Sequence, residues 1–414
     1  MSSKVRREVV FMEQFYYPEG WGGAQLPRDV TMRLAQRGLA VDVICGSDQY
    51  VPAEGDGGAN PSAAGVRIRR VPKLFGGAVH SHKLLRQLWF CLAAAPLLLF
   101  RARPRVFVTQ TNPPLAVVLM ALAASVHRRP LVIIAQDLYP EVLFAHGMVG
   151  QRSLAARVLN RVFAWAYGRA TRVVSLGPVM SERLRLKGVE RERIVTISNW
   201  ATGEEHIVRG PENRLRREWG LEGCFVVVYS GNLGIAHDVE TPIRALRECM
   251  AELPTLRLLF IGKGSRLSEA QKVAEECGVS AAVQFRPPVP LELLPHSLGL
   301  ADVALVTLRR GFEGLVVPSK LLGYMARGVA TIYIGPPSDA QHLIDESGGG
   351  ASVANGDVRA LSDVYRRLVA EPAALSSMGL AAEEFYREQL SRTLGLQRYE
   401  AVIEEVGKCF DAAS

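Results

Sequence analysis

The sequence predicts an α/β protein built from two doubly wound parallel sheets that follow one another along the chain. The chain has 414 residues, which is more than one hydrophobic core usually serves, so two domains are expected. Short apolar, β-branched runs alternate with segments of helical spacing in both halves, which is typical of parallel sheets covered by helices on both faces. Glycine turns follow individual strands, as in residues 229–234.

The first half contains seven predicted strands and five predicted helices. The strands are expected near residues 8–14, 40–45, 66–71, 106–111, 130–136, 172–176 and 193–198. The helices are expected near residues 24–37, 83–101, 114–126, 151–167 and 179–187.

The second half repeats this scheme and ends in a helical tail from about residue 357 to 411. Its strands are expected near residues 225–230, 257–262, 282–286, 302–308, 329–334 and 350–354. The join falls in the polar stretch 201–221, which contains glycine and proline. We therefore expect an N-terminal domain over residues 1–205, a C-terminal domain over 206–392, and a last helix over 393–414 that packs back toward the N-terminal domain. Ligands of such sheets bind beyond the carboxyl ends of the strands, so facing domains are expected to share a cleft.

The net charge of +8 is unevenly distributed. Residues 1–200 hold 27 Lys and Arg against 13 Asp and Glu, whereas residues 201–414 hold 22 against 28. A basic half favours an anionic partner: nucleic acid, a membrane surface or a phosphorylated substrate. No nucleic-acid-binding module is recognisable, and the arginines are not interleaved with stacking aromatics, so nucleic acid is not expected.

The cysteines and the first residues bear on localisation. The six cysteines are scattered without close pairs, which favours a reducing, cytoplasmic environment and no zinc site. The chain begins with charged residues that lead directly into a strand-like run, so a secretory signal is not expected.

Two apolar stretches, residues 84–100 and 114–126, are too short to span a bilayer. The second is expected to be buried against a sheet. The first contains Trp89 and Phe90 and is flanked by basic residues on both sides. That pattern favours peripheral contact with an anionic membrane, although an arginine-rich, solvated face beside a core helix has the same pattern.

The turn at residues 229–234 lies between an apolar strand and the start of a helix. Its backbone N–H groups and the positive end of the helix dipole favour an anion such as a diphosphate. Any strand-to-helix connection of a parallel sheet can also carry two glycines for structural reasons.

Three further stretches have residue types suited to binding or catalysis. The glycine-rich loop after the first strand contains Gly22 and Gly23 and allows close approach of a ligand. Asp137 ends a central strand, where a carboxylate orients a sugar hydroxyl or, alternatively, caps a helix. Lys263 follows another strand, and Lys320 comes directly after Pro318-Ser319, a pair typical of helix capping. A cation in the first turn of a helix opposes the helix dipole, which indicates a nearby anion.

These motifs resemble the family-4 retaining glycosyltransferases of the GT-B fold, especially the bacterial branch that builds exopolysaccharide and O-antigen units. The resemblance spans nearly the whole chain, and the order and spacing of the motifs carry it. The motifs are Pro18-Glu19 with Gly22-Gly23, Gln136-Asp137, Ser198-Asn199-Trp200, residues 229–234, Gly262 with Gly264, Pro318-Ser319-Lys320, and residues 325–328.

The resemblance implies acceptor binding by the N-terminal domain, donor binding by the C-terminal domain, and no metal or other cofactor. The implied catalytic residues are Asp137, Lys320 and Glu313. The implied donor-binding residues are Gly231, Asn232, Leu233, Gly234, His237, Gly262, Lys263, Gly264, Pro318 and Ser319. The implied acceptor-binding residues are Glu19, Gly22, Gly23, Gln136 and Asn199.

The sequence departs from the family pattern at the donor site. The family commonly has an Arg and a Lys where Asn232 and His237 stand, and two glutamates where Leu315 and Gly323 stand. Glu313 is the expected substitute for the first glutamate, and Lys263 or Lys320 for the missing cations.

The expected activity is metal-independent transfer of a hexosyl or N-acetylhexosaminyl group from a nucleotide-sugar, with UDP favoured, to a lipid-linked glycan. The enzyme is expected in the cytoplasm or peripherally on the inner face of the plasma membrane. Three alternatives stay open: a transferase with a soluble natural-product acceptor, a non-catalytic subunit that binds a nucleotide-sugar, and, less favoured, a sugar epimerase on the same fold.

Overall fold

The computed structural model describes residues 8–17, 22–47, 62, 64–72, 83–102, 104–203 and 207–413. The chain divides into two compact units. The first comprises residues 1–198, 314–316 and 393–414, and the second comprises residues 199–313 and 317–392. The first unit therefore ends its main segment at Ser198, seven residues before the predicted boundary, and includes the last helix of the chain.

The first unit contains a seven-stranded parallel sheet with the order β3-β2-β1-β4-β5-β6-β7. This is the doubly wound order, in which the connections reverse direction between β1 and β4. All seven predicted strands are present. They are β1 (Val9–Met12), β2 (Val41–Gly46), β3 (Arg67–Val71), β4 (Val106–Gln110), β5 (Leu131–Ile134), β6 (Arg172–Ser175) and β7 (Ile194–Thr196).

The helices of this unit connect successive strands. They are α1 (Gln25–Gln36), α2 (Lys83–Pro96), α3 (Pro114–His127), α4 (Glu141–Ala145), α5 (Leu154–Gly168) and α6 (Pro178–Leu186). Of these helices, only α4 was not predicted, because it is too short to show a periodic pattern.

The second unit contains a six-stranded parallel sheet with the order β10-β9-β8-β11-β12-β13. The same reversal occurs here between β8 and β11. The strands are β8 (Phe225–Ser230), β9 (Leu256–Ile261), β10 (Val283–Arg286), β11 (Val303–Thr307), β12 (Thr331–Ile334) and β13 (Gly350–Val353).

The helices from residue 207 onward include short ones that the sequence did not reveal. They are α7 (Arg214–Glu218), α8 (Glu240–Cys249), α9 (Leu267–Glu276), α10 (Leu294–Leu298), α11 (Lys320–Met325), α12 (Asp339–Ser347), α13 (Val358–Ala370), α14 (Pro372–Phe385) and α15 (Arg392–Ala413). The predicted tail is thus three helices with a π-helical turn at Tyr386–Leu390, and residues from 393 onward group with the first unit.

Burial on both faces explains the continuous apolar runs of the second sheet. Val227 of β8 belongs to one hydrophobic cluster, and its neighbours Val226 and Val228 belong to another. Successive side chains of a strand point to opposite faces, so both faces of this sheet are covered.

The two apolar stretches of the first unit both form helices, as predicted. The first is α2 followed by a π-helical turn at Leu97–Arg101, because Pro96 has no N–H to continue the α-helical bonding. The second, α3, buries six small or aliphatic residues against the sheet, as expected, and leaves Leu122 43% and Val126 58% exposed on its other side. Within the described part of the chain, no helix is long and apolar enough to cross a membrane.

Candidate functional site

The turn after β8 and the turn after β9 pack backbone against backbone. Gly262 has φ +146°, and a Cβ atom there would lie 1.9 Å from the carbonyl oxygen of Gly231. Gly264 has φ +156°, and its Cβ atom would lie 2.3 Å from the carbonyl oxygen of Leu233. Neither space nor conformation admits another residue. Gly262 and Gly264 are therefore explained by the contact between the turns, without a ligand.

This contact determines which N–H groups of the first turn face outward. Gly231 N donates to Ile261 O at 2.9 Å, and Leu233 N donates to Lys263 O at 2.8 Å. Across the described residues, the N–H groups of Asn232 and Gly234 have no protein acceptor. The sequence predicts that the N–H groups of the whole turn are available to a ligand. In the structure only the N–H groups of Asn232 and Gly234 are available.

Lys320 lies over this turn. A Cβ atom built on Gly231, which has φ +153°, would lie 3.4 Å from Lys320 Cε and 3.7 Å from Lys320 Cγ. Lys320 keeps substantial solvent exposure, yet the protein atoms around it lower the pKa of its ammonium group by desolvation.

Lys320 also lacks a countercharge. No carboxylate among the described residues forms an ion pair with it, and desolvation is the one cause of its pKa shift. A desolvated, unpaired cation beside two outward N–H groups is suited to binding an anion.

His237 supports the turn as a neutral side chain. Its Nδ1 lies 3.0 Å from the carbonyl oxygen of Thr307, which only accepts hydrogen bonds, so Nδ1 carries the proton. Burial is the main cause that lowers its pKa; Arg266 lowers it further, and the bond to Thr307 opposes the shift. The ring packs edge-on against Tyr229, with centroids 5.5 Å apart. His237 is thus uncharged at neutral pH.

The other proposed donor-side residues have different surroundings. Ser319 makes no capping bond with its side chain, because its backbone is already helical (φ −62°, ψ −20°), so the capping expectation is wrong. Glu313 Oε2 accepts a bond of 2.6 Å from Gly311 N, within its own loop. Lys263 is exposed and contributes its carbonyl oxygen to the contact between the turns. Pro318 O accepts from Leu321 N at 3.2 Å.

In the first unit, Asp137 follows β5 in a backbone arrangement held by Thr111. Thr111 Oγ1 accepts from Gln136 N at 3.0 Å and from Asp137 N at 3.1 Å. Asp137 also forms an antiparallel bridge with Val316, which belongs to the same unit. The N-cap of α4 is Pro140, so the alternative that Asp137 caps this helix is wrong.

The remaining acceptor-side residues are less informative. Gly22 and Gly23 begin a 3₁₀ turn that leads into α1. Asn199 begins the main segment of the second unit. Glu19 lies outside the described residues.

Two family matches cover most of the chain. Residues 22–200 match the family described as "Glycosyl transferase 4-like domain", and residues 212–385 match "Glycosyl transferases group 1". The chain belongs to the family-4 glycosyltransferases.

Named relatives of this glycosyltransferase carry similar descriptions. "Probable glycosyltransferase WbjE" of Pseudomonas aeruginosa is 28% identical over 310 residues, which is 73% of this chain and 74% of WbjE. "Putative colanic acid biosynthesis glycosyl transferase WcaI" of Escherichia coli K12 is 26% identical over 215 residues, which is 50% of this chain and 52% of WcaI. A "GDP-mannose-dependent alpha-(1-6)-phosphatidylinositol monomannoside mannosyltransferase" of Mycolicibacterium smegmatis is 28% identical over 42% of this chain and 46% of its own length.

Solved structures place the glycosyltransferase in the GT-B fold. Anabaena HepE, solved in complex with UDP, has a TM-score of 0.72 at 15% identity and aligns over 96% of this chain and 100% of its own. WaaG, titled a glycosyltransferase involved in lipopolysaccharide biosynthesis, has a TM-score of 0.64 at 17% identity, over 95% and 99%. At these identities the likeness concerns the fold alone, and it confirms the predicted architecture.

Two arginines at the donor-side turn of this glycosyltransferase, Arg266 and Arg309, were not among the predicted site residues. Arg266 donates from Nε and Nη2 to the carboxylate of Glu269 and from Nη1 to the carbonyl oxygen of His237. Arg309 Nη1 donates to Ile235 O at 3.3 Å, and its backbone N donates to Ala236 O at 2.7 Å. Arg266 follows β9 and Arg309 follows β11, and these two strands lie on either side of β8. A correct prediction of the strand order would therefore have placed both arginines beside the turn after β8.

A buried polar cluster in the first unit was also overlooked. Glu13, Gln14 and Gln110 are 1–3% exposed and each has a polar side-chain atom without a partner. Burial raises the pKa of Glu13 well above its usual value, against smaller opposing effects of the Phe15 and Gln14 backbone. Met12 pairs with Thr109 in the register, so the cluster lies at the carboxyl ends of β1 and β4, where the connections of the sheet reverse.

Within the described residues, no group of three or more His, Cys, Asp and Glu side chains is arranged to hold a metal ion.

Proposed function

We propose that this glycosyltransferase moves a sugar, with retention of configuration, from a nucleotide-sugar to a lipid-linked glycan in bacterial surface polysaccharide synthesis. The observation that supports the donor side most strongly is the unpaired Lys320 beside the outward N–H groups of Asn232 and Gly234. A nucleoside diphosphate is the leaving group of such a reaction and carries the charge that this arrangement suits.

Lys320 acts on the departing diphosphate. As the glycosidic bond to the donor phosphate breaks, negative charge grows on the leaving oxygen. A cation and N–H donors that are already in place stabilise this charge without reorganising in the transition state. The turn itself is held rigid by the contact with Gly262 and Gly264, which keeps the donors in position. The proposal requires no metal ion.

Asp137 is proposed to orient the acceptor hydroxyl or another group near it in the first unit. Its backbone is fixed on both sides, by Thr111 and by the bridge to Val316, so the position of its carboxylate is defined by the fold. The proposed role is orientation by a hydrogen bond and does not involve a covalent intermediate.

A UDP-sugar is the favoured donor, carrying a hexosyl or N-acetylhexosaminyl group. HepE, with the same fold, was solved with UDP and with UDP-glucose, whereas the mycobacterial relative is described as GDP-mannose-dependent. A surface polysaccharide is the favoured product because of the relatives WbjE and WcaI. WcaI is described as a putative glycosyl transferase of colanic acid biosynthesis. The enzyme would then work in the cytoplasm, peripherally on the inner face of the plasma membrane.

The test is a panel of UDP-, GDP-, ADP- and dTDP-sugars incubated with the protein and lipid-linked glycan acceptors. Release of the nucleoside diphosphate is measured with and without acceptor and with a chelator. We expect acceptor-dependent release of UDP that persists in the chelator. Release of GDP instead would overturn the donor assignment, and loss of activity in the chelator would overturn metal independence.

A non-catalytic subunit is the second candidate, and Gly323 favours it. The family resemblance implies a ribose-holding glutamate at this position, and α11 carries no side chain there. Such a subunit would bind a nucleotide-sugar without releasing the diphosphate under any condition of the panel.

A further inference from the structure

The exposed apolar residues of the described chain are concentrated in one unit. Of 14 large hydrophobic residues that are exposed, 12 belong to the first unit, and the other two are Ile235 and Leu380. Single exposed apolar residues are ordinary on a protein surface, but a concentration of this kind marks an interaction surface.

Helix α2 is apolar on two of its faces. Its inner face, together with the π-helical turn, buries residues 90, 91, 94 and 98. The outer face exposes Leu84 by 64%, Leu92 by 67% and, in the π-helical turn, Phe100 by 78%. Leu84, Leu88 and Leu92 recur at intervals of four, so they form one stripe along the helix.

Helices α3 and α5 extend this surface. Their exposed apolar residues are Leu122 and Val126 on α3 and Leu154, Val158 and Trp165 on α5. Crossovers between parallel strands are right-handed, and α2, α3 and α5 all lead in the same direction across the sheet, so they cover the same face of it. We name the exposed side of these three helices the outer face.

Hydrogen bonds join the three helices at one end. His127 Nε2 at the end of α3 lies 2.9 Å from Leu98 O in the π-helical turn. Arg169, directly after α5, donates from Nε to Ser125 Oγ of α3 at 2.9 Å. Phe100, Val126 and Trp165 stand within four residues of these contacts, so the apolar residues of the three helices converge there.

The helices that form the outer face carry charge of one sign only. Residues 83–101, 114–127 and 154–168 contain five Lys and Arg and no Asp or Glu. On α5, Arg157 and Arg161 are exposed beside Val158 and Trp165, and neither has a carboxylate partner among the described residues.

We infer that the outer face of α2, α3 and α5 docks the enzyme onto the anionic surface of a lipid bilayer. Leucine, phenylalanine and tryptophan side chains enter the interface between headgroups and acyl chains, and the arginines bind the lipid phosphates. Because the charged residues of these helices are all positive, an anionic lipid surface is the favoured occupant. A protein partner or a second copy of this chain would have to present an unbroken acidic surface. This surface would bring the enzyme to the bilayer that presents a lipid-linked acceptor. In that respect the inference rests on the proposed function.

The test measures binding of the full chain to vesicles by flotation, without donor or acceptor. Vesicles of phosphatidylglycerol and phosphatidylethanolamine are compared with vesicles of phosphatidylcholine. We expect binding to the anionic vesicles to be at least tenfold stronger. The double variant R157Q/R161Q is expected to weaken this binding about tenfold to thirtyfold, because each basic residue near such a surface contributes about 1 kcal/mol. L84S/L92S is expected to weaken binding to both kinds of vesicle.

Matched controls lie in the second unit. Leu380→Ser removes a leucine that is 67% exposed, as Leu92 is, and Lys272→Gln removes an exposed cation of α9. Neither is expected to change vesicle binding, and circular dichroism melting shows whether every variant is folded. Equal effects of control and test variants would overturn the inference, as would the absence of vesicle binding. A dimer in solution that L84S/L92S dissolves would also overturn it and assign the face to a second copy.

The outcome is separable from that of the proposed function. Vesicle binding without turnover in the donor panel supports this surface and overturns the proposed activity. Turnover of a detergent-solubilised lipid-linked acceptor without vesicle binding supports the proposed activity and overturns this surface.

Discussion

Replacement of Lys320 by alanine is expected to slow sugar transfer about a hundredfold. The structure places this side chain over Gly231 with no carboxylate partner among the described residues, so its charge is available to a ligand. A unit charge about 4 Å from a phosphate oxygen contributes about 4 kcal/mol at an effective dielectric constant of about 20. Solvent exposure lowers this to about 2–3 kcal/mol, which corresponds to a factor of about 30 to 150 in kcat.

The assay is the initial rate of nucleoside diphosphate release with the donor that the panel identifies. Lys320→Arg keeps the charge and is expected to retain most of the activity. Lys272→Ala, which removes a distant exposed cation, is expected to leave the rate unchanged. The reasoning is refuted if Lys320→Ala transfers sugar within about threefold of the wild-type rate.

A measurement of stability separates the electrostatic role of Lys320 from a structural one. Desolvation lowers the pKa of the ammonium group, so the charged side chain costs free energy in the ligand-free protein. Lys320→Met is therefore expected to raise the melting temperature of the ligand-free protein and to reduce the stabilisation by UDP. A lower melting temperature without ligand would indicate that Lys320 is needed for packing instead.

Three other substitutions test separate parts of the account. Gly323→Glu is expected to lower the donor KM about fivefold to tenfold by adding a charged hydrogen bond. The position has room for the side chain, because a Cβ atom there meets only Arg327 Nη1, at 3.8 Å. The control Gly323→Ala should raise helix stability without changing the KM. Gly262→Ala is expected to destabilise the protein by more than about 3 kcal/mol in urea unfolding, whereas Gly278→Ala, with φ +67° and no atom within 4 Å, should cost only about 1 kcal/mol. Glu13→Gln is expected to stabilise the protein at pH 7.5: burial raises the pKa of Glu13, so the ionised form is penalised above the usual value of 4.5, and the advantage should shrink as the pH falls toward 4.5. A pH-independent difference for Glu13→Gln would contradict that reasoning.

The architecture was predictable because each strand carries its own signal. Apolar β-branched runs such as Phe225–Ser230 are buried on both faces and end in glycine turns, so local sequence alone marks them. Short helices such as α4 and α7 carry too few turns for a periodic pattern. The exposed residues of α3 were not predictable, since an apolar sequence does not show whether a neighbour covers it.

The donor-side turn was located from the sequence, but its chemistry was not. The glycine pattern identifies residues 231–234, yet the pairing of Gly231 N and Leu233 N with β9 and its turn depends on the strand order. The same order brings Arg309 to Ile235, although the two residues are 74 positions apart in the sequence. The buried environment that raises the pKa of Glu13 likewise arises from packing among separate strands.

The most direct test of the central claim is a crystal structure of the protein with bound UDP. We expect oxygens of the β-phosphate within about 3 Å of Lys320 Nζ and of the backbone nitrogens of Asn232 and Gly234. The bonds of Gly231 N and Leu233 N to Ile261 and Lys263 should remain in place. A diphosphate bound away from Lys320, or one that displaces those two bonds to reach Gly231 N and Leu233 N, would contradict it.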